Sequence, residues 1–304
     1  MQPTLVRSIL VATDLSDASD PIVRTAARLA KHQGVDLHLL HAFDLNSPRD
    51  RSDAGKITFQ SRIESCERAL NEQIRRTVVE GVEVASREVI IYAPEKAIVE
   101  QAAAVSANLL VLGPHRRRAL ADAFLGSTAD YVIRHAAAPC LVLRGELPIP
   151  LRQVVVPVDL AKTTAGTLDV ALAWADALGR NEATPELRVL HVVPYPGPTQ
   201  QELDRAEGEA RRAMRAAIAD AAGRIGEAGR VDVREEVLWE SAPADAIMKF
   251  AGREKPELLV LGTHGRGALG RAFAGSVSSS IVRSARCSVL LVPPALHRQE
   301  VPGL

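Results

Sequence analysis

Gly262-Thr263-His264-Gly265, nine further residues, and then Gly275-Ser276 form the stretch of this chain best suited to chemistry. The apolar run Leu258 to Leu261 precedes it and a helix-like segment follows. A strand that feeds a glycine-rich loop ending on a hydroxyl at a helix start makes a cradle for phosphate. Glycines let main-chain N–H groups approach an anion without a Cβ in the way. The helix N-terminus adds unsatisfied donors and the favourable end of its dipole. The same frame occurs earlier as Gly113-Pro114-His115-Arg116, nine residues, Gly126-Ser127, with arginine in place of the second glycine.

Other elements repeat in the same order. Each half opens on an apolar strand ending in aspartate, Ile9 to Asp14 and Val154 to Asp159, and continues to a strand ending in histidine, Leu37 to His41 and Leu187 to His191. A short closing strand follows the loop helix, Cys140 to Leu143 and Ser288 to Val292. The two aspartates are 145 positions apart, the histidines 150, and Pro94/Pro243, Gly113/Gly262 and Gly126/Gly275 each 149. Early drift followed by a constant offset indicates differing loop lengths within one duplicated unit. Two copies also suit the usual domain length of roughly 100 to 200 residues. Gly145 to Pro150, with two prolines, is the natural seam.

The loop pattern resembles the nucleotide-binding loop of the universal stress protein family, and nearly the whole chain resembles a tandem pair of such domains, 1–146 and 151–296. Buried parallel strands such as Val154 to Val158 alternate with helices such as Ala206 to Ala222. Asp20-Pro21 reads as a helix start with proline at the first helical position, and Thr199 to Glu202 as a capping box. Five strands and four helices per half give a doubly wound α/β fold with a five-stranded parallel sheet. The resemblance implies that the two copies pair through their closing strands as an intrachain pseudo-dimer, leaving further homodimerisation open.

The resemblance also implies an adenine nucleotide, ATP, held mainly by the second half. Gly262, Thr263, His264, Gly265 and Gly275 would wrap ribose and phosphates, with Ser276, Val277 and Ser278 at the helix start. Asp159 would accept a hydrogen bond on the base or ribose side, and Pro157, Val158 and Val192 would pack against the base. Whether Mg2+ accompanies the phosphates stays open. The first half keeps Asp14, Gly113, Gly126, Ser127 and Thr128 as weaker candidates. There Arg116 stands where close main-chain approach matters, and Pro114 removes an N–H donor. Arg116, Arg117 and Arg118 either obstruct the triphosphate space, hold phosphates as cations, or form a solvated face. One competent site, in the second half, is the expectation.

Composition excludes several other classes. The 37 basic and 37 acidic residues cancel, so nothing favours the phosphate neutralisation that drives nucleic-acid binding, and 3% aromatic residues leave little for base stacking. Apolar stretches are strand-sized, short of the ~20 residues of a membrane span, and no signal-like segment opens the chain. A cytoplasmic location is expected. Cys66, Cys140 and Cys287 have no disulfide or zinc spacing; Cys140 and Cys287 read as small buried hydrophobes.

Gly265 to Gly270 also reads as G-x-G-x-x-G, but it follows a fourth strand, and position 290 is leucine where an acidic residue is needed ~20 positions on. No P-loop lysine motif is present. His115 and His264 lack a partner acid or nucleophile at a usual spacing, and His41 and His191 read as strand-end residues satisfied by backbone. Two classes remain, a nucleotide-binding stress or regulatory protein and a nucleotide-independent interaction module. Slow ATP hydrolysis or autophosphorylation comes a distant third.

Overall fold

Apolar, β-branched runs and alanine-rich amphipathic segments alternate along the chain, and the computed structural model turns them into alternating strands and helices. It describes residues 6–45, 59–113, 125–160, 164–179, 184–193, 199–225, 231–263 and 275–294. Among these, one compact unit runs from Val6 to Glu146 and a second begins at Leu147.

In the first unit the elements are β1 (Ser8–Ala12), α1 (Asp20–Gln33), β2 (Asp36–Phe43), α2 (Phe59–Thr77), β3 (Val84–Ile91), α3 (Pro94–Ala104), β4 (Leu109–Leu112), α4 (Ser127–His135) and β5 (Cys140–Val142). The strand order is β3-β2-β1-β4-β5, and every pairing is parallel. The chain therefore winds outward from β1 to β3, then crosses back to β4 on the other side of β1. With right-handed crossovers, α1 and α2 fall on one face and α3 and α4 on the other, matching the contacts within each helix pair. Ile9, Val11, Leu39, Leu40, Leu110 and Val111 have no solvent exposure, as strands covered on both faces require.

The second unit repeats this plan with β6 (Gln153–Pro157), α5 (Thr164–Gly179), β7 (Glu186–Val193), α6 (Gln200–Ile225), β8 (Asp232–Trp239), α7 (Pro243–Glu254), β9 (Leu258–Gly262), α8 (Ser276–Ser284) and β10 (Ser288–Val292). Its order is β10-β9-β6-β7-β8, again all parallel. Thr199 forms the expected capping box: its N–H donates to Glu202 at 2.8 Å and its hydroxyl accepts from the Glu202 N–H at 3.4 Å. The α1 start is shifted by one residue from expectation. Ser19 is the cap, and Asp20 and Pro21 are the first two helical residues. Asp20 turns its carboxylate toward α2 instead, as described below.

Gly34 and Gly179 end the matching helices α1 and α5 for different reasons. Gly34 has φ +66°, with nothing near a would-be Cβ, so freedom of φ is its role. At Gly179 an added Cβ would lie 2.4, 2.7 and 2.9 Å from Cγ, Cβ and Cδ of Pro185. A proline ring cannot swing away, so the backbone itself must shift. Gly179→Ala is expected to destabilise the second unit by about 1–3 kcal/mol, against about 1–2 kcal/mol for Gly34→Ala from the left-handed backbone alone. Chemical denaturation of the two variants checks the ranking.

Two ion pairs tie elements together in partly buried settings. Arg76 of α2 donates to Asp20 of α1 at 2.6 and 2.9 Å, and Arg188 on β7 pairs with Glu186 and reaches Glu254 at 3.0 Å. Burial alone would raise both carboxyl pKa values, but bonds from Arg76 and Gln73 to Asp20, and from Arg188 and Gln153 to Glu186, outweigh it, and both lie below the ordinary 3.8 and 4.5. A depressed folded-state pKa adds stability above the ordinary value and loses it as pH falls through the depressed one. Thermal melting is therefore expected to respond little to these pairs above about pH 5 and to drop steeply below about pH 4. A flat Tm from pH 6 to 3 would contradict the assignment.

Candidate functional site

The order of strands places the candidate residues. In the second unit β6 lies between β7 and β9, with Val154 opposite Leu258 and Val155 opposite Leu259. The chain direction across the sheet reverses between β6 and β9, and ligands of such sheets sit beyond the carboxyl ends of the strands at that reversal. Pro157, Val158 and Asp159 leave β6 on one side of this crevice, and Gly262 and Thr263 leave β9 on the other. Spacing alone left this adjacency conditional.

The two ends of the glycine-rich loop come together. The Gly275 N–H donates to the Thr263 carbonyl at 2.6 Å, so Gly262-Thr263 and Gly275-Ser276 meet although eleven residues separate Thr263 from Gly275. The Ser278 hydroxyl donates to the Gly262 carbonyl at 2.6 Å, and the Thr263 N–H to the Val292 carbonyl at 3.0 Å. Thr263 and Ser278 are buried. Ser278, expected as a donor at the helix start, directs its proton to the end of β9. Ser276 is exposed at the first helical position, and Gly275 and Val277 are half-buried. His264 and Gly265 lie outside the described residues.

Helix α8 begins with no acidic residue in its first turn, so no carboxylate of that turn offsets the positive end of its dipole. Its counterpart α4 carries Asp130 in the first turn, paired with Arg134 at 2.8 Å. Gly126 caps α4, and Ser127 and Thr128 begin it. Gly113 follows β4 immediately, where an added Cβ would just touch Ile22 at 3.4 Å. Pro114, His115 and Arg116 to Arg118 lie outside the described residues.

Both strand-end aspartates are oriented by nearby donors. Asp159 accepts from the Thr164 hydroxyl at 3.0 Å, and Asp14 from the Ser16 N–H and hydroxyl at 3.0 and 2.6 Å. The residue after each aspartate is a leucine in the left-handed region, Leu15 at φ 62° and Leu160 at φ 56°. A bulky side chain rarely adopts that conformation. The histidines expected to be satisfied by backbone are so. The Nδ1 atoms of His41 and His191 lie 2.9 and 2.8 Å from the carbonyls of Thr13 and Val158. β2 and β7 each continue two residues beyond them, leaving Val192 half-buried within β7.

Behind the aspartates the two units differ. In the first, Gln73 of α2 has no solvent exposure. It accepts from the Thr13 hydroxyl at 2.7 Å and donates to Ser19 and Asp20 at 2.8 Å each. Thr13 also accepts from the Leu15 N–H at 3.0 Å. In the second unit Val158 and Thr164 stand for Thr13 and Ser19, and α6 presents alanines. There a small hollow of about 170 Å3 is lined by Leu160, Thr164, Ala165, Ala213, Ala217, Asp220 and Arg224. A larger open hollow of about 340 Å3, beside Tyr92 and α3 in the first unit, contains none of the candidate residues. It lies under β3, away from the strand reversal.

Cys140 is buried, which pushes its thiol up to about 12 and keeps it protonated at neutral pH. Such a thiol does not supply a nucleophile. Among the described residues no group of three His, Cys, Asp or Glu side chains could hold a metal ion, and no helix is long and apolar enough to cross a membrane.

The model of the Universal stress protein family matches residues 6–144 and 150–293. A universal stress protein of Mycolicibacterium smegmatis is 29% identical over 304 residues, covering 94% of this chain and 97% of its own. One from Mycobacterium tuberculosis strain H37Rv is 26% identical over 318 residues, with 95% and 97% covered. Among solved structures, a functionally unknown protein of Pseudomonas aeruginosa PAO1 superposes with TM-score 0.69 at 20% identity, covering 97% of this chain and 96% of that one. A universal stress protein of Archaeoglobus fulgidus gives 0.61 at 18%, covering 95% and 97%. With two matched domains spanning both units, the chain belongs to the universal stress protein family in its tandem form.

Proposed function

We propose that this chain is an adenine-nucleotide-binding stress-response or regulatory protein that holds ATP in its second unit. The observation that supports the reading is the pairing of β6 with β9, the strands that lead to an oriented carboxylate, Asp159, and to the closed ends of a glycine-rich loop entering α8. A carboxylate suits the donor groups of a base or ribose, and glycine N–H groups with a helix N-terminus that has no carboxylate in its first turn suit phosphates. The first unit has a weaker claim. Arg116 replaces a glycine there, and α4 carries its own carboxylate near the N-terminus.

Among the described residues the site offers groups suited to binding ATP. It lacks the P-loop lysine of efficient phosphoryl transfer, so the nucleotide acts as a signal rather than as a consumed substrate. Isothermal titration of the full chain with ATP should give a stoichiometry near one, and denaturing freshly purified protein should release adenine nucleotide. No heat of binding at millimolar ATP would favour the nucleotide-independent interaction module instead.

A further inference from the structure

We infer that His191 is a positioning residue for Asp159, and that His41 plays the same part for Asp14. A carbonyl oxygen can only accept, so the contact from His191 Nδ1 to the Val158 oxygen at 2.8 Å requires the proton on Nδ1. The tautomer of His41 is fixed in the same way by the Thr13 oxygen at 2.9 Å. Each carbonyl belongs to the residue immediately before the aspartate. The ring therefore sets the plane of the peptide from which the aspartate departs.

Two further contacts make this a defined corner. The N–H of Val158 donates to the Leu190 carbonyl at 2.8 Å, and that of Thr13 to the Leu40 carbonyl at 2.9 Å. The residue before each aspartate is thus pinned at its N–H and its carbonyl, both times by the neighbouring strand. On the far side each aspartate is followed by a left-handed leucine, a conformation that costs about 1–2 kcal/mol and persists only where the surroundings impose it. The arrangement recurs in both units although the groups behind it differ, Gln73 with Thr13 in one and Thr164 beside α6 alanines in the other. The rings therefore serve the aspartates and are not by-products of the buried polar cluster.

The functional part of this inference rests on the reading of Asp159 as the group facing base or ribose. Three variants of the full chain test it. His191→Leu removes the donor, His191→Asn keeps an N–H near the Nδ1 position, and His191→Gln moves the donor to the Nε2 position. Imidazole 15N spectra of the parent should show Nδ1 protonated. Without nucleotide, the Asp159 carboxyl 13C signal should shift in the Leu and Gln variants and return in His191→Asn.

With ligand, His191→Leu should weaken ATP by about tenfold while leaving inorganic tripolyphosphate affinity within about twofold, because only the base side is misplaced. A ring bare at Nδ1, an Asp159 signal indifferent to all three variants, or equal losses for ATP and tripolyphosphate would overturn the assignment. If the parent binds no ATP but the carboxyl signal follows the donor, the nucleotide reading fails and the positioning of Asp159 stands.

Discussion

Gly265→Arg is expected to abolish the single ATP-binding event of the chain, weakening affinity by at least about 100-fold while leaving the melting temperature of the ligand-free protein nearly unchanged. The substitution gives the second loop the residue that the first loop carries at Arg116. Residue 265 lies outside the described residues, between flanks that are described. Thr263 and Gly275, the two flanks of the loop, are drawn together by a main-chain bond. A glycine there adds freedom of φ and allows close approach to an anion; an arginine removes both and brings a long side chain into the space meant for phosphates. Titration calorimetry compares parent and variant directly. Full-strength binding by Gly265→Arg would place the nucleotide elsewhere and remove the reason for calling the first loop impaired.

Gln73→Leu should produce the largest loss of folding stability of the substitutions considered, about 3–5 kcal/mol, confined to the first unit. The leucine fills a similar volume, so the loss is one of partners rather than of packing. Thr13 loses an acceptor, Ser19 a donor, and Asp20 one of the bonds to its partly buried carboxylate. Each buried group left without its partner costs about 1–3 kcal/mol. Replacing Ala221, an equally buried residue of α6, by glycine should cost only about 1 kcal/mol. Denaturant titration monitored at reporters in each unit would separate the two. A Gln73→Leu protein as stable as the parent would mean that the cluster contributes little net energy.

Strands β1, β4, β6, β9 and β10 were legible because they are buried and read as apolar, β-branched and leucine runs. The duplication was legible because offsets between like residues stay near 149 from Pro94 onward. The pairing of Asp159 with the glycine loop depends on which strands are neighbours, and that is a property of sheet order that local spacing does not encode. Gln73 was hidden for another reason. In the polar sequence of α2 a glutamine looks like part of the solvated face, and only the approach of Thr13, Ser19 and Asp20 from distant segments makes it a core residue. The left-handed leucines carried no signal either, since leucine seldom takes that conformation, whereas the backbone pairing of His41 and His191 was expected from the apolar runs they close, although both strands continue two residues further. Ser278 was read for its type and not for its direction, which the carbonyl of Gly262 determines.

The duplicated corner at Leu15 and Leu160 has an evolutionary consequence. Selection for heat tolerance alone would soon exchange these leucines for glycine or asparagine, which accept that geometry with less strain. Leucine in both halves marks a corner where rigidity has outweighed that gain, and laboratory evolution toward a hardier scaffold would relax the aspartates' aim at the same two points.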